Sequence, residues 1–398
     1  VANAILTPTM ITRKALAILH QKLNFVGTIN RSYDDQFANK EAQIGQTLNV
    51  RLPNQYVIRN GATLATQDTV EITAPVTISA QKGVDLRFTS IDLTLSLQDF
   101  ADRILEPAVS VLAANVEADA LSMVNSVYNQ VNNPGAAITF NKVLQGRKLL
   151  NDALAPMDTN RSVILNTQDN VDLVDQLKGL FQDSASVAKQ YKEGQMGRTS
   201  GFDFYENTLL QRFTSGTDNS AYLVNGAGQV GSSPLSMNLA VNTGTGTFAA
   251  GDIITIAGVY KVHPETRANM GVLQQFVVTS AYAGGAGNVA IAPGIITSGN
   301  RQNVTASPAN AAIITKVGTN AQNYGLSLAY HRDAFCFATC DLVVPKGVDF
   351  AARENFEGIS LRIVRAYDIN TDSFPCRLDI IYGYAALRPQ WAARIACN

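Results

Sequence analysis

Apolar positions along the chain change their period several times, and each change marks a new element. Residues 9–24 (TMITRKALAILHQKLN) put Ile11, Ala15, Ile18, Leu19 and Leu23 on one side of a helix, with Thr9 as a candidate N-cap. Between 45 and 90 the period falls to two. Leu48, Val50 and Leu52 alternate, as do Val70 and Ile72, then Val76 and Ile78, and Asn60-Gly61 is a turn signal between the runs. These strands carry little apolar bulk, so they predict an elongated β-arm that must lie on something larger, in this chain or in another copy. Residues 103–128 return to the helical period: Leu105, Val109, Leu112, Val116, Ala120, Met123 and Val127 step by three and four. Pro107 suits the first turn and NNPG at 132–135 stops the helix. The spacing predicts a rod of roughly 37 Å at about 1.5 Å per residue. Asn115 and Glu117 fall off its apolar stripe in this phase.

Residues 139–213 read as mixed α/β. TFNKVLQGRKLLNDAL is helical, RSVILN is a buried strand, and TQDNVDLVDQLKGLF is a second helix capped by Thr167. MGRTSGFDFYENTLLQRFTSG returns to extended chain. From about 220 to 318 the composition shifts to Gly, Ala, Thr, Asn and Val. There GDIITIAGV, LQQFVVTSAYAG, GNVAIAP and AAIITKVG are short β-runs at the spacing of a small barrel or sandwich. The denser mixed pattern resumes after 324. A β-domain is therefore expected to be inserted into a larger α/β or α+β body.

Composition narrows the function classes. The 398 residues suffice for two or three domains with a substantial core. Charged residues make up 16% and the net charge is −1, which argues against disorder and against a strongly basic grip on nucleic acid. The four cysteines and three histidines (His20, His263, His331) are poor material for a zinc site, and Cys336 and Cys340 read as buried free thiols. The first residues lack a basic region followed by an apolar core, and no run of 18 apolar residues occurs, so neither a signal peptide nor a membrane span is expected. A reducing cytosolic origin is the default.

One stretch offers a competing chemistry. AYLVNGAGQVG contains G-x-G-x-x-G at Gly226, Gly228 and Gly231 after a short apolar run. A Rossmann-type oxidoreductase would need a helix next, whose N-terminus takes the pyrophosphate, and an acidic residue about 20 positions on, a place Asp252 could fill. The sequence SSPLSMNLAVNTGTGTFAAGD that follows has no helical stripe, and Asp252 sits in a Gly-Asp pair resembling a turn before a strand. A glycine-rich turn is the simpler account. Cys336 with His331 nearby offers a nucleophile, yet His331 and Asp333 on one strand face explain the pattern more simply. Asp368 and Asp372 lack the glycine and distal glutamate of a calcium loop and read as turn carboxylates that could pair with Arg362 or Arg365. No catalytic, cofactor-binding or metal-ligating residue is expected. A monomeric adhesion protein with β-modules is a third reading, and it would call for secretion.

Several long motifs carry a family likeness. MITRKALAILHQKLNFVGTINRSYDDQFA at 10–38, IGQTLNVRLPNQYVIRNGATL at 44–64 and TSIDLTLSLQDFADRILEPA at 89–108 resemble major capsid proteins of tailed bacteriophages (Caudoviricetes), of the podovirus coat-protein type with an inserted β-domain. LAYHRDAFCFA at 328–338 and LRIVRAYDINTDSFPCRLDIIYGYAALRPQWAARI at 361–395 agree. The likeness runs the length of the chain and is weakest near 220–318. It implies an α+β fold of the Hong Kong 97 type. Residues 1–30 would be an N-terminal arm, and 31–138 a peripheral domain with extended loop 45–85 and spine helix 103–128. Residues 139–219 would begin the axial domain, 220–318 would be the inserted β-domain, and 319–398 would return to axial and peripheral domains. The Gly-rich motif would then be a turn between domains. The resemblance also implies self-assembly into hexamers and pentamers of an icosahedral virion shell around double-stranded DNA, contacted without sequence specificity. It further implies a scaffolding protein, a portal at one vertex, room for a decoration protein, no cofactor, no membrane partner, assembly in the host cytoplasm, and a procapsid-to-mature change.

Overall fold

The computed structural model describes residues 12–15, 17, 19, 23–32, 47–64, 66–69, 71–89, 106–177, 197–217, 222–348, 350–356, 359–371 and 373–397. Thr9, Ile11, Ile18, Leu105, Asp372 and the end of the second predicted α/β helix lie outside them. A one-turn helix α1 (Phe25–Thr28) precedes β1 (Thr47–Leu52), β2 (Ile72–Thr77) and β3 (Ala80–Thr89). Helix α2 (Glu106–Leu121) tightens to 3-10 geometry at Ser122–Ser126 and leads to β4 (Gln130–Asn132). Next come α3 (Phe140–Asp152), β5 (Arg161–Leu165), α4 (Thr167–Leu177), β6 (Arg198–Thr199), β7 (Phe202–Glu206) and β8 (Phe213–Thr214). Six strands follow: β9 (Leu223–Val224), β10 (Met237–Asn242), β11 (Ile253–Val262), β12 (Asn269–Val278), β13 (Gly287–Ala292) and β14 (Ile314–Val317). The order finishes with β15 (Asn323–His331), β16 (Phe335–Thr339), β17 (Phe350–Phe356), β18 (Ile359–Arg365), β19 (Ser373–Ala386) and β20 (Ala392–Cys397).

The chain divides into two units. The smaller, from 1–50, 75–121 and 335–385, is built on β19. Its sheet runs β16-β19-β18-β17, and β3 pairs antiparallel with β19 from Ala80↔Tyr382 to Thr89↔Ser373. This long ladder requires a glycine at 83, where a Cβ would meet the Leu378 carbonyl oxygen at 2.6 Å. Helix α2 buries Val109, Leu112, Val116 and Ala120, as its spacing predicts, and leaves Asn115 exposed. Two features depart from that reading. The described α-helical part has 16 residues, about 24 Å at the usual rise, against the expected rod of roughly 37 Å. Its last turn tightens where the Ser126 hydroxyl donates to the Met123 carbonyl at 2.6 Å, competing with the backbone ladder.

The second departure is Glu117, which is 1% exposed. Its Oε1 accepts from the backbone N–H groups of Asn24 (3.1 Å) and Phe25, and its Oε2 from that of Val26 (3.2 Å). Helix α1 receives no cap from the Asn24 side chain, so a carboxylate from α2 satisfies its leading donors instead. The helix expected over 9–24 is seen at 12–15, 17 and 19, where Ala15 and Leu19 are buried. Phe25 packs edge-on against Phe335 at 5.6 Å. By length and composition Glu106–Ser126 could cross a bilayer, which the sequence reading did not anticipate; its apolar stripe is instead buried within the fold.

The larger unit, from 51–74, 122–334 and 386–398, contains two sheets. The seven-stranded sheet runs β4-β20-β15-β5-β7-β6, with β8 on β15. All five residues of β5 are buried, as an unbroken apolar run between helical segments predicts. Helix α3 packs on β20, where Ile395 approaches Gly146. Its N-cap is Thr139, whose hydroxyl accepts from Lys142 N at 3.4 Å. Helix α4 is capped by Asn166 and not Thr167: Asn166 Oδ1 accepts from Asp169 N at 2.7 Å, the geometry expected one position before the first helical residue.

The second sheet runs β14-β11-β12-β13-β10-β9. It closes on itself. Val224 N donates to Ala312 O (3.0 Å), Ala311 N to Val224 O (2.9 Å) and Ile314 N to Tyr222 O (3.0 Å), joining the two outer strands. The barrel is filled by Tyr222, Leu239, Phe248, Ile254, Phe276 and Ile291, all at most 1% exposed.

Replacing Leu112 by Ala is expected to cost about 2–5 kcal/mol in chemical denaturation. Glu117→Ala, which orphans buried N–H groups, is expected to cost on the order of 3 kcal/mol. Asn115→Ala should stay within about 0.5 kcal/mol. Equal loss at all three positions would refute this helix phase and the capping role.

Candidate functional site: a buried polar junction

The glycine-rich loop lies inside the barrel domain, linking β9 to β10, and is not a turn between domains. Gly226 and Gly228 have φ of +95° and +75°, which glycine adopts without strain. Each glycine amide of the motif is occupied by the protein: Gly226 N–H donates to Asn310 Oδ1 (2.8 Å), Gly228 N–H to Pro308 O (3.1 Å) and Gly231 N–H to Ile295 O (2.8 Å). A strand follows, so the fan of free N–H groups that would hold a pyrophosphate does not form.

Asp252, placed by spacing where a ribose ligand would be sought, is 1% exposed. Its Oδ2 accepts from Gly216 N (3.0 Å) and Ala249 N (2.7 Å). Burial pushes its pKa up, opposed by these bonds and by Lys316 and Arg394. Lys316 Nζ donates to Gly216 O at 2.5 Å. Arg394, on β20 of the seven-stranded sheet, is 0% exposed. Its Nε donates to Gln130 Oε1 (2.7 Å), its Nη2 donates to Gly251 O, and its guanidinium lies 5.4 Å from the Phe213 ring centre. Gln275 of β12 extends the joint. Its Oε1 accepts from Gln130 N (2.7 Å) and its Nε2 donates to Gln130 O (3.1 Å), imitating a strand neighbour. Gly216 and Gly251 admit this approach, since a Cβ would stand 2.2 Å from Thr247 O at the first and 2.8 Å from the Phe213 ring at the second. Tyr128, Ile253 and Val277 supply an apolar patch beside it.

This cluster joins the barrel to the seven-stranded sheet. Burial lowers the Arg394 pKa to about 10, so at neutral pH it remains a dry cation whose Nε and Nη2 meet directed acceptors while Nη1 has no partner among the described residues. Its chemistry is that of a weld. The sequence marked none of Gln130, Gln275, Lys316 or Arg394; the one local signal was the Gly-Asp pair at 251–252.

The other candidates are also structural. Cys336, Cys340, Cys376 and Cys397 are free and buried, and burial raises the Cys336 thiol to about 12, which removes it as a nucleophile. His331 is buried with Nε2 3.1 Å from Asp158 Oδ1, and its Nδ1 accepts from Asp333 N at 3.2 Å. Asp368 accepts from Asn370 N (3.0 Å) and Thr371 Oγ1 (2.9 Å), closing an exposed turn. Arg362 pairs with Asp379 at 2.5 Å, while the Arg365 guanidinium lies 5.1 Å from the Phe374 ring centre. Among the described residues no group of three or more His, Cys, Asp or Glu could hold a metal ion.

Asp169, buried at the start of α4, accepts from Ser327 Oγ (2.5 Å) and Asn166 Nδ2 (2.9 Å). Burial, outweighing these bonds, raises its pKa to about 6. The folded state therefore holds this proton more tightly than the unfolded state. The associated stability is complete below the ordinary value of 3.8 and is lost as pH rises through about 6. Asp169→Asn is expected to be more stable than wild type at neutral pH, and the gap should shrink on acidification. Urea midpoints that run parallel for the two proteins from pH 4 to 7 would refute this. At the junction, Arg394→Met is expected to cost about 3–5 kcal/mol, as for a broken buried charge network, and Arg394→Lys to recover only part of it. Unchanged thermal unfolding in Arg394→Met would remove the weld from the account.

Comparison with known proteins gives the larger context. The family described as P22 coat protein – gene protein 5 matches residues 38–394. No curated protein sequence matches the chain. Similar solved structures include one from Mycobacterium phage Che8, at 11% identity and TM-score 0.48, covering 94% of this chain and 90% of that one. The capsid of cyanophage P-SCSP1u (8% identity, TM-score 0.41, 90% and 84% covered) is another. The mature capsid of bacteriophage PhiM1 (8%, 0.41, 89% and 82%) is a third. The family match over most of the chain carries the assignment. It makes the protein a non-enzymatic virion component of α+β, Hong Kong 97-type fold that assembles with its own copies into a shell. The oxidoreductase reading has no support, and the chain belongs to the P22 coat protein family of bacteriophage major capsid proteins.

Proposed function

We propose that this coat protein builds an icosahedral shell of hexamers and pentamers around a phage's double-stranded DNA, and that loop 45–85 is the element that ties subunits together. The observation that carries this reading is the tip of that loop. Between β1 and β2, Tyr56, Ile58 and Leu64 are 58%, 85% and 79% exposed. The tip holds its shape mostly through its own polar bonds: Val57 N–H donates to Gln67 Oε1 (2.9 Å), and Arg59 Nη1 donates to Gly61 O and Thr63 O (3.2 Å). Near its base Arg301 Nη2 donates to Pro53 O at 2.9 Å. Large apolar groups offered to water on a hairpin without a core suit a surface that another subunit covers.

On this reading residues 1–30 are the N-terminal arm, 31–138 the peripheral domain with its spine helix, and 139–219 the first part of the axial domain. Residues 220–318 are the inserted domain, and 319–398 return to the axial and peripheral domains. Assembly takes place in the host cytoplasm around a scaffolding protein, with a portal at one vertex, and the shell changes from procapsid to mature form as DNA enters. A decoration protein is compatible with this scheme. A net charge of −1 fits an inner wall that meets DNA without sequence specificity.

Deleting residues 60–66 is expected to leave thermal unfolding of the body unchanged and to abolish closed shells in sedimentation and electron microscopy when scaffolding protein is supplied. Amide exchange across 59–67 should be fast in the free subunit and slow in the shell. Equal protection in both states, or normal shells from the deletion variant, would defeat this role for the loop.

A further inference from the structure

The sequence contains two Asn-Gly pairs, Asn60-Gly61 and Asn225-Gly226. They are nearly matched except in their hydrogen bonds. Both asparagines and both glycines are exposed. Gly61 and Gly226 have φ of +92° and +95°, and neither has a heavy atom within 4 Å of where a Cβ would stand. The difference lies in the glycine N–H and the asparagine side chain. That of Gly226 donates to Asn310 Oδ1 at 2.8 Å, and the Asn225 side chain is itself engaged, its Oδ1 accepting from Asn242 Nδ2 at 3.3 Å. Among the described residues the Gly61 N–H has no acceptor and the Asn60 side chain has no partner.

We propose that Asn60 is a site of spontaneous modification, converting to aspartate and isoaspartate through a cyclic imide, and that Asn225 is protected by its hydrogen bonds. Base removes the Gly61 amide proton. The nitrogen attacks Asn60 Cγ, a C–N bond forms, the Cγ–Nδ2 bond breaks, and the side-chain nitrogen leaves as ammonia after taking up a proton. Water then opens the ring. Attack at Cγ restores the ordinary backbone with an aspartate. Attack at the backbone carbonyl leaves the chain running through Cγ, which is isoaspartate. Neither route needs an oxidant or a catalyst. Glycine favours the first step because no Cβ obstructs the approaching amide, and an exposed loop tip lets the backbone bend toward it. Each event places a carboxylate beside Arg59 at the apolar tip, and the isoaspartate route also lengthens the backbone there by one atom. At Gly226 the amide must first give up its bond to Asn310, and the Asn225 amide its bond to Asn242.

The test is peptide mass spectrometry on the full-length, unassembled protein incubated in mildly alkaline heavy-oxygen water, with enzymatic methyl labelling of isoaspartate. A second sample is incubated in denaturant. In the folded protein Asn60 should convert at least about tenfold faster than Asn225, which is the effect of losing even one of the two bonds at 225–226 on the way to the transition state. In denaturant the two should convert at similar rates. Gly61→Ala should slow conversion at 60 and leave 225 unchanged. Equal rates at both sites in the folded protein would overturn the proposal, as would an intact Asn60 in folded protein whose denatured sample converts.

Discussion

A guanidinium that never meets water sets the terms for the larger unit. Arg394 is held inside by Gln130, Gly251 and the Phe213 ring, each from a different stretch of chain. A cation stripped of water is costly unless its donors are aimed at acceptors, so the segments that provide them have little freedom to shift. Gly251 and Asp252 immediately precede β11, Gln130 opens β4, and Arg394 lies within β20. One side chain thus fixes where the barrel starts relative to the sheet that carries it. Asp252 and Lys316 repeat the logic around Gly216, one taking its N–H and the other its carbonyl. These buried bonds add directed contacts to the chain connections at either end of the barrel.

The smaller unit solves a like problem with the opposite charge. Helix α1 is four residues long, too short to be stable by itself. Glu117 makes it persist by accepting from its leading amides, and so fixes the chain near residue 25 to the middle of α2. The backbone of Asn30 then exchanges bonds with Phe335 and Phe337 of β16. Sequence-distant segments are bound by one carboxylate and a short stretch of ladder, which is economical in a unit whose main sheet is only one layer of strands.

What the residue pattern made legible follows from range. Short apolar runs announced β11 to β14, and the stripe of α2 was visible for the same local reason, whereas β10 (Met237–Asn242) was hidden among Ser, Thr, Asn and Gly and was not anticipated. The choice between barrel and sandwich stayed open in the spacing, because the closing register depends on Val224 meeting Ala312, which no short window contains. Glu117 was misjudged on the same ground. A glutamate next to an apolar stripe reads as a solvated flank until the amides it serves, more than ninety residues away, are known. Asn166 displaced Thr167 as a cap by one position, an error of the size expected at helix ends. The long capsid motifs carried the assembly reading, which composition and periodicity could only bring as far as a self-associating chain without a catalytic site.

Rigidity and compliance divide along the same line as buried polar density. Where backbone groups are met by buried side chains, at Arg394, Asp252 and Glu117, any displacement leaves donors or acceptors unpaired and is resisted steeply. In the hairpin of β1 and β2 the partners are themselves exposed: Arg51 faces Glu71 at 3.4 Å with both side chains at least half exposed, and the Thr47 and Thr77 hydroxyls meet at 2.9 Å at the surface. Such bonds exchange with water at little cost, so the hairpin can bend without a large penalty. In the proposed shell of hexamers and pentamers, bending would fall on such segments, whose lost internal bonds are made good by a neighbour or by solvent. The exposed apolar residues sit at the end of the compliant hairpin. On the proposed reading, an apolar tip that would gain from burial against a neighbouring copy is carried by a segment free to bend toward it.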